Sequence, residues 1–344
     1  MPRLDSNDDA GAPARRRDIA DPHRADSTRA DRATDDRTTT REHAGDREYA
    51  GDRKHTDRHG GTGEPPDRRP AEPVRRGGRA GRNLPAAFAV GGGLGALVLL
   101  TLLLWRPAFL AVIVAALTVA VVEMVRAVRD AQVRPPLPPL LGGAVAMPVA
   151  AWLWGTSGLG LALLVTVLTA MVWRLWGGPT GFLRDISGAT LIAVYPVFVA
   201  GFAALLAAGD DGHWRVLTML GVVVLSDTGG YVAGIFLGRR LLAPTISPKK
   251  SWEGLGGSLV AAGVGGAIGL PLIFQVDWWW GAAFGLVVAG AAVLGDLVES
   301  LLKRDLGRKD MSGLLPGHGG LMDRVDSILF AAPTAYLLLT VLVG

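Results

Sequence analysis

Beyond Leu84 apolar residues fill long blocks, and charged residues are largely confined to the gaps between them. Nine blocks approach the ~20 residues needed to cross a bilayer: 86–104, 108–125, 139–155, 158–175, 187–208, 215–238, 255–275, 278–299 and 326–343. The third and fourth are short and nearly adjacent. Lipid offers backbone groups no hydrogen bonds, and the alternation of a membrane barrel is absent, so the blocks predict helices. The expected fold class is all-α, a polytopic integral membrane helix bundle of about nine transmembrane helices over residues 83–344.

The gaps alternate in charge. Arg126, Arg129 and Arg134, then Arg174 and Arg184, then Arg239, Arg240, Lys249 and Lys250, then Lys303 through Lys309 occupy every second gap. Gly209-Asp210-Asp211 and Asp277 occupy gaps between them. Basic residues are retained on the cytoplasmic side. This predicts a multi-pass protein of the cell (inner or plasma) membrane, with the N-terminus and the basic gaps cytoplasmic and the C-terminus outside.

Residues 1–82 have a different composition, rich in Arg, Asp, Gly, Pro and Thr with repeated Asp-Arg pairs. Such a segment cannot bury enough apolar surface to offset its ordering entropy, so a disordered cytoplasmic tail is expected. It contains no apolar core of a signal peptide. Its opposite charges largely cancel, and no nucleic-acid partner is expected. Arg75, Arg76, Arg79 and Arg82, directly before the first block, read as a cytoplasmic anchor.

The absence of cysteine excludes disulfides and thiolate metal sites. Outside the tail only His213 and His318 remain, too few for a usual zinc site, which leaves Mg²⁺ or Mn²⁺ on carboxylates.

Four clusters in or beside the basic gaps carry candidate chemistry. Asp227 stands among small residues in Ser226-Asp227-Thr228-Gly229-Gly230; a buried, hydrogen-bonded structural Asp is the alternative. Ser247-Pro248-Lys249-Lys250-Ser251-Trp252-Glu253-Gly254 reads as a loop whose lysines meet a triphosphate or anionic lipid heads. Asp296, Glu299, Ser300 and Lys303 fall at i, i+3, i+4 and i+7, on one helical face; a helix turning polar as it leaves lipid is the alternative. Last, Pro316-Gly317-His318-Gly319-Gly320 permits an N–H-rich turn able to cradle phosphate, followed by Asp323, Arg324 and Asp326. Helix-dipole complementarity explains one of those Asp residues, not the whole group.

The run Ser300-x2-Lys303-Arg304-x4-Lys309-Asp310-x-Ser312-x2-Leu315-Pro316-x-His318-Gly319-Gly320-Leu321-x-Asp323-Arg324-Val325-Asp326 resembles the signature of the phosphatidate cytidylyltransferase (CDP-diacylglycerol synthase) family. Asp227 and the Ser247–Gly254 segment resemble two further blocks, with Ser251 where Thr is more usual. The resemblance covers residues from about 85 to the end. It implies a membrane nucleotidyltransferase of phospholipid biosynthesis that joins CTP and phosphatidic acid into CDP-diacylglycerol and pyrophosphate. It further implies a divalent metal (Mg²⁺ or Mn²⁺) and, in some members, K⁺ as a second cation. A homodimer is the assembly considered.

With that reading, Asp296 and Asp323 hold metal, and Lys303 and Arg324 join them as catalytic candidates. Lys249, Lys250, Arg304, His318, Gly319, Gly320, Asp227, Ser247 and Asp326 bind nucleotide or support ligands. Two other classes fit parts of the pattern: a CTP-dependent polyprenol- or phytol-type lipid kinase, and an ion-coupled secondary transporter. A scaffold displaying the tail is a third, added role.

Overall fold

The computed structural model describes residues 84–314 and 319–343. The expected tail, with its disorder, and His318 lie outside the described residues. Helices α1 (Leu84–Leu104), α2 (Arg106–Asp130) and α3 (Leu137–Leu175) are followed by α4 (Phe182–Ile192), a π-helical stretch (Ala193–Phe198) and α5 (Val199–Ala208). After these come α6 (Gly212–Leu237), strands β1 (Leu241–Ala243) and β2 (Ser247–Ser251), α7 (Trp252–Phe274), α8 (Trp278–Asp305) and α9 (Met322–Leu342).

Among the described residues, seven helical segments are long and apolar enough to cross a membrane, with α4, the π stretch and α5 forming one of them. The nine blocks of the sequence correspond to these seven once two details are added. First, the Gly91–Leu104 part of α1 is a shorter apolar helix within the block at 86–104. Second, α3 is not straight: Gly155 has φ +66° and ψ −151°, a conformation open to glycine. A Cβ on Gly143 would lie 2.5 Å from Thr166 Cγ2, although 23 residues of straight helix would separate the two by roughly 34 Å. The helix therefore folds back at Gly155 into two antiparallel arms, 137–154 and 156–175, of about 27 and 30 Å, each close to a bilayer core.

Pro196 lies inside the π-helical stretch. Proline lacks an amide N–H, and the ladder widens around it. The widened turn carries Tyr195 inward, 6% exposed, with its ring edge-to-face on Phe330 at 6.3 Å.

Small residues set the spacing of α6, α7 and α8. A Cβ on Gly230 would collide with Ser258 Oγ, and the Gly266 and Gly281 backbones meet directly. The Ser258 hydroxyl donates to Ser226 O at 2.8 Å across the α6–α7 seam. These contacts run antiparallel, so the C-terminal end of α6 and the N-terminal end of α7 are brought together.

The basic gaps gather at one end of the bundle. Arg134 N donates to Asp185 Oδ1 at 2.7 Å, and Arg174 Nε reaches Asp185 Oδ2 at 2.9 Å. Arg308 pairs with Asp130, and Arg304 Nε donates to Ile246 O at 3.3 Å. At the other end, Arg106 donates to Gly209 O. The ten tryptophans divide between the same two ends: Trp173, Trp176 and Trp252 on the basic side, and Trp105, Trp152, Trp154, Trp214 and Trp278 to Trp280 opposite. That is the pattern of aromatic belts at the two interfaces of a bilayer.

One element departs from the all-helical expectation. Residues 247–254, expected as a loop, are instead strand β2, paired antiparallel with β1 in a hairpin with a register shift between Leu241 and Ala243, and then the first residues of α7. Glu253 closes the base of this hairpin, accepting from Arg239 N at 3.1 Å and Arg240 N at 3.2 Å. Ser251 caps α7 by accepting from Gly254 N at 3.0 Å. A side-chain carboxylate and a cap thus fix a segment whose own residues carry little strand propensity.

Candidate active site

The hairpin delivers its lysines to α8. Lys250 Nζ lies 2.7 Å from Asp296 Oδ2, and both line a cavity of about 290 Å³ with Asp227, Lys249, Tyr231 and Ser327. The cavity floor is the α6–α7 seam at Gly230, Gly234, Gly254 and Ser258. Close packing there leaves room for a ligand beside Asp227, which is within electrostatic reach of Asp296 and Lys250.

The helical face read from the sequence is present on α8. Ser300 Oγ donates to Asp296 Oδ1 at 3.2 Å, and one turn further on Lys303 binds Glu299. Lys303 Nζ also donates to Asp323 Oδ1 at 2.8 Å, which crosslinks α8 to the start of α9. The face serves two directions: Asp296 meets the hairpin, while Lys303 meets α9.

Asp323 is buried and fully engaged. Its Oδ2 accepts from Gly320 N at 2.7 Å and Met311 N at 3.0 Å, so one carboxylate ties Met311 to Gly320. Gly319 has φ +82°, a backbone conformation that favours glycine. A Cβ on Gly320 would stand 2.9 Å from Glu123 Oε2 and 3.1 Å from Asp323 Oδ2, where a side chain has no room.

Glu123 is the residue that sequence reading missed. It sits inside the long apolar helix α2, 4% exposed. It accepts from Ser312 Oγ at 2.6 Å and from Leu321 N and Met322 N at 3.0 Å each. The signal was available: an ionisable residue within a membrane span is a functional candidate by default. Its partners lie 189 to 199 residues away, so spacing could not reveal them.

The other expected residues are spread around this centre. Asp326 is half-buried and accepts from Ser327 N at 2.7 Å; it is within electrostatic reach of Asp296 and Glu299. Arg304 is exposed and ties α8 to the hairpin through Ile246 O, and Ser247 starts β2 outside the cavity lining. Arg324 is exposed, with no side-chain partner among the described residues. Asp305 ends α8 and is exposed.

The donor set is compatible with a hard divalent cation. All candidate ligands are oxygens, and Glu299 Oε1, Ser226 Oγ and Tyr195 Oη are buried without a hydrogen-bond partner among the described residues. No group of three or more acidic, His or Cys side chains among the described residues forms a protein-only metal cage. Mg²⁺ ordinarily needs none, because it takes one or two carboxylates, waters and substrate phosphate oxygens.

Carboxylates and cations converging at one end of an apolar helical bundle define an integral membrane protein with a charged site at the bilayer edge. Comparison with known proteins gives the particular lineage. Residues 86–342 match the cytidylyltransferase family, and the chain belongs to that family. It is 40% identical over 301 residues to the phosphatidate cytidylyltransferase of Mycobacterium bovis, covering 82% of this chain and 98% of that protein. The Mycobacterium leprae phosphatidate cytidylyltransferase is 41% identical over 281 residues, covering 77% and 90%. A shorter match, 40% over 146 residues, covers 41% of this chain and 54% of the Brucella suis phosphatidate cytidylyltransferase.

Proposed function

We propose that this enzyme transfers the cytidylyl group of CTP to phosphatidate, giving CDP-diacylglycerol and pyrophosphate for phospholipid synthesis. The observation that carries the reading is the Lys250–Asp296 pair in a cavity with Lys249 and Asp227, in a chain related along most of its length to phosphatidate cytidylyltransferases.

A lipid phosphate oxygen attacks the α-phosphorus of CTP, the α–β phosphoanhydride bond breaks, and pyrophosphate leaves with its electron pair. A phosphate monoester, with a second pKa near 6, is already largely ionised at neutral pH, so no general base is required. The obstacle is repulsion between two anions. Lys249 and Lys250 take triphosphate oxygens, and Lys303, Arg304 and Arg324 lower the remaining charge. His318, Gly319 and Gly320 are assigned to the nucleotide, the glycine-rich run offering backbone N–H groups to phosphate. Asp227, Ser247 and Asp326 support bound groups.

Asp296 and Asp323 would hold Mg²⁺ or Mn²⁺, with K⁺ as a second cation. The divalent ion supplies neutralisation of the α- and β-phosphates and of the leaving pyrophosphate. Asp323 would join it by exchanging its contact with Lys303.

The same proposal puts the basic end of the bundle and the N-terminus on the cytoplasmic side of the cell membrane, where CTP is present, and leaves the acyl chains in lipid. A homodimer is the assembly proposed.

Purified protein in detergent, given CTP, phosphatidate and Mg²⁺, is expected to release pyrophosphate and form CDP-diacylglycerol. Release of CDP instead would establish γ-phosphoryl transfer and overturn the proposal.

A further inference from the structure

A second groove lies between α2 and residues 312–314. It measures about 510 Å³, within the ~300–1,000 Å³ of small-molecule sites. Thr118, Val119, Val122 and Glu123 on α2 form one wall, Ser312, Gly313 and Leu314 the facing wall, and Arg126 stands at its head. It shares none of its lining with the Lys250–Asp296 cavity.

Arg126 is exposed and has no hydrogen bond or ion pair among the described residues. Several other cations at this end are engaged, Lys250 by Asp296, Lys303 by Glu299 and Asp323, and Arg308 by Asp130, and neither Arg324 nor Lys249 lines this groove. The carboxylate one turn below Arg126, Glu123, is committed to Ser312, Leu321 and Met322. Arg126 is therefore an unmatched cation on a membrane-spanning helix, at the top of a wall that becomes apolar towards the membrane interior. An exposed cation at the proposed cytoplasmic end of a span is placed to meet anionic lipid headgroups.

We propose that this groove is where phosphatidate docks, its phosphate on Arg126 and an acyl chain laid along Val122, Val119 and Thr118. The inference deepens the proposed reaction and rests on it for the identity of the lipid. A monoester phosphate carries about −1.5 to −2 charges and three acceptor oxygens, which suits a forked guanidinium better than a singly charged diester. The geometry matches the lipid's own orientation, because α2 descends from Arg126 into the membrane at about 1.5 Å per residue. Ser312 of the facing wall lies against Gly320, where an added Cβ would stand 3.0 Å from Ser312 Oγ and 3.1 Å from Asp323 Oδ2, so the docked headgroup adjoins the carboxylate proposed to hold metal.

The test uses the full-length protein in mixed micelles, varying the surface fraction of phosphatidate at saturating CTP and then CTP at saturating phosphatidate. Arg126→Gln is expected to raise the apparent KM for phosphatidate by about tenfold, the scale of one charge-assisted contact, with the KM for CTP unchanged. Arg126→Lys should fall between, and Val122→Trp, which fills the groove without altering charge, should reproduce the phosphatidate defect. Arg129→Gln, an exposed arginine outside the groove, should leave both constants unchanged. An unchanged phosphatidate KM in Arg126→Gln, or an equal rise in Arg129→Gln, would overturn the site in favour of none or of general surface attraction. A binding arm separates this inference from the reaction: in nanodiscs without CTP, wild type should retain labelled phosphatidate over phosphatidylglycerol and Arg126→Gln should not. Selective retention by a wild type that made no CDP-diacylglycerol would uphold the groove while the proposed reaction fell.

Discussion

Lys250 Nζ rests 2.7 Å from Asp296 Oδ2, joining a hairpin outside the bundle to a carboxylate on α8. The contact places a cation where an incoming triphosphate would compete for it. A charge-assisted hydrogen bond contributes about 1.5–3 kcal/mol, so removing the ammonium should weaken nucleotide binding by roughly 10- to 100-fold. Lys249→Gln/Lys250→Gln is expected to raise the KM for CTP by that factor while membrane insertion and the KM for phosphatidate stay as in wild type. Equal CTP dependence in mutant and wild type would assign the lysines to anionic lipid heads instead.

Asp296→Asn and Asp323→Asn keep side-chain shape and remove the charge a hard cation needs. Each should lose most turnover, with partial recovery as Mg²⁺ is raised, whereas Asp305→Asn at the exposed end of α8 should behave as wild type. A Mg²⁺ titration of initial rates reads all three. Near-normal turnover of both Asn variants across the titration would remove the shared metal from the mechanism.

Glu123 ties Ser312 to Leu321 and Met322 through three donors. In Glu123→Ala those donors lose their acceptor, at about 1–3 kcal/mol for each that stays buried and unpaired. The expected result is faster amide hydrogen exchange across 311–322 and a fall in kcat, with exchange in α7 and α8 unaffected. Glu123→Gln, which keeps one acceptor oxygen, should lie between. Uniformly faster exchange throughout the bundle would make Glu123 a general stability residue.

Gly230 lets α6 approach α7 at the cavity floor, where an added Cβ meets Ser258 Oγ. Gly230→Ala should lower the melting temperature in detergent, and Ser258→Ala in the same chain should recover part of the loss, because the remaining Ser258 Cβ would be 3.6 Å away. Overpacking costs typically ~1–3 kcal/mol, enough to be read in a thermal melt. No recovery in the double variant would place the strain elsewhere.

Much of the architecture follows from the chain alone. Apolar block length specifies the spans, because a bilayer has one thickness and lipid leaves backbone groups no alternative to a helix. The alternation of basic gaps anticipated that Arg134, Arg174, Lys250 and Lys303 would gather at one end. The spacing of Asp296, Glu299, Ser300 and Lys303 anticipated their common face, since 3.6-residue periodicity is a local property. What each member of that face meets is not local. Lys250 reaches Asp296 because glycines draw α6 against α7 and α7 against α8, and because Glu253 and Ser251 brace a hairpin whose second strand reads as a loop. Asp323 faces Lys303 and two backbone amides, and Glu123 crosses the bundle to Ser312, Leu321 and Met322. The break between blocks 139–155 and 158–175 was legible too, and positive φ at Gly155 is where the helical run turns back between them. The sequence determined which residues carry charge at the membrane edge and which helix faces present them. The tertiary structure alone decided their partners, because pairing between segments up to 199 residues apart depends on helix packing rather than on any repeat along the chain.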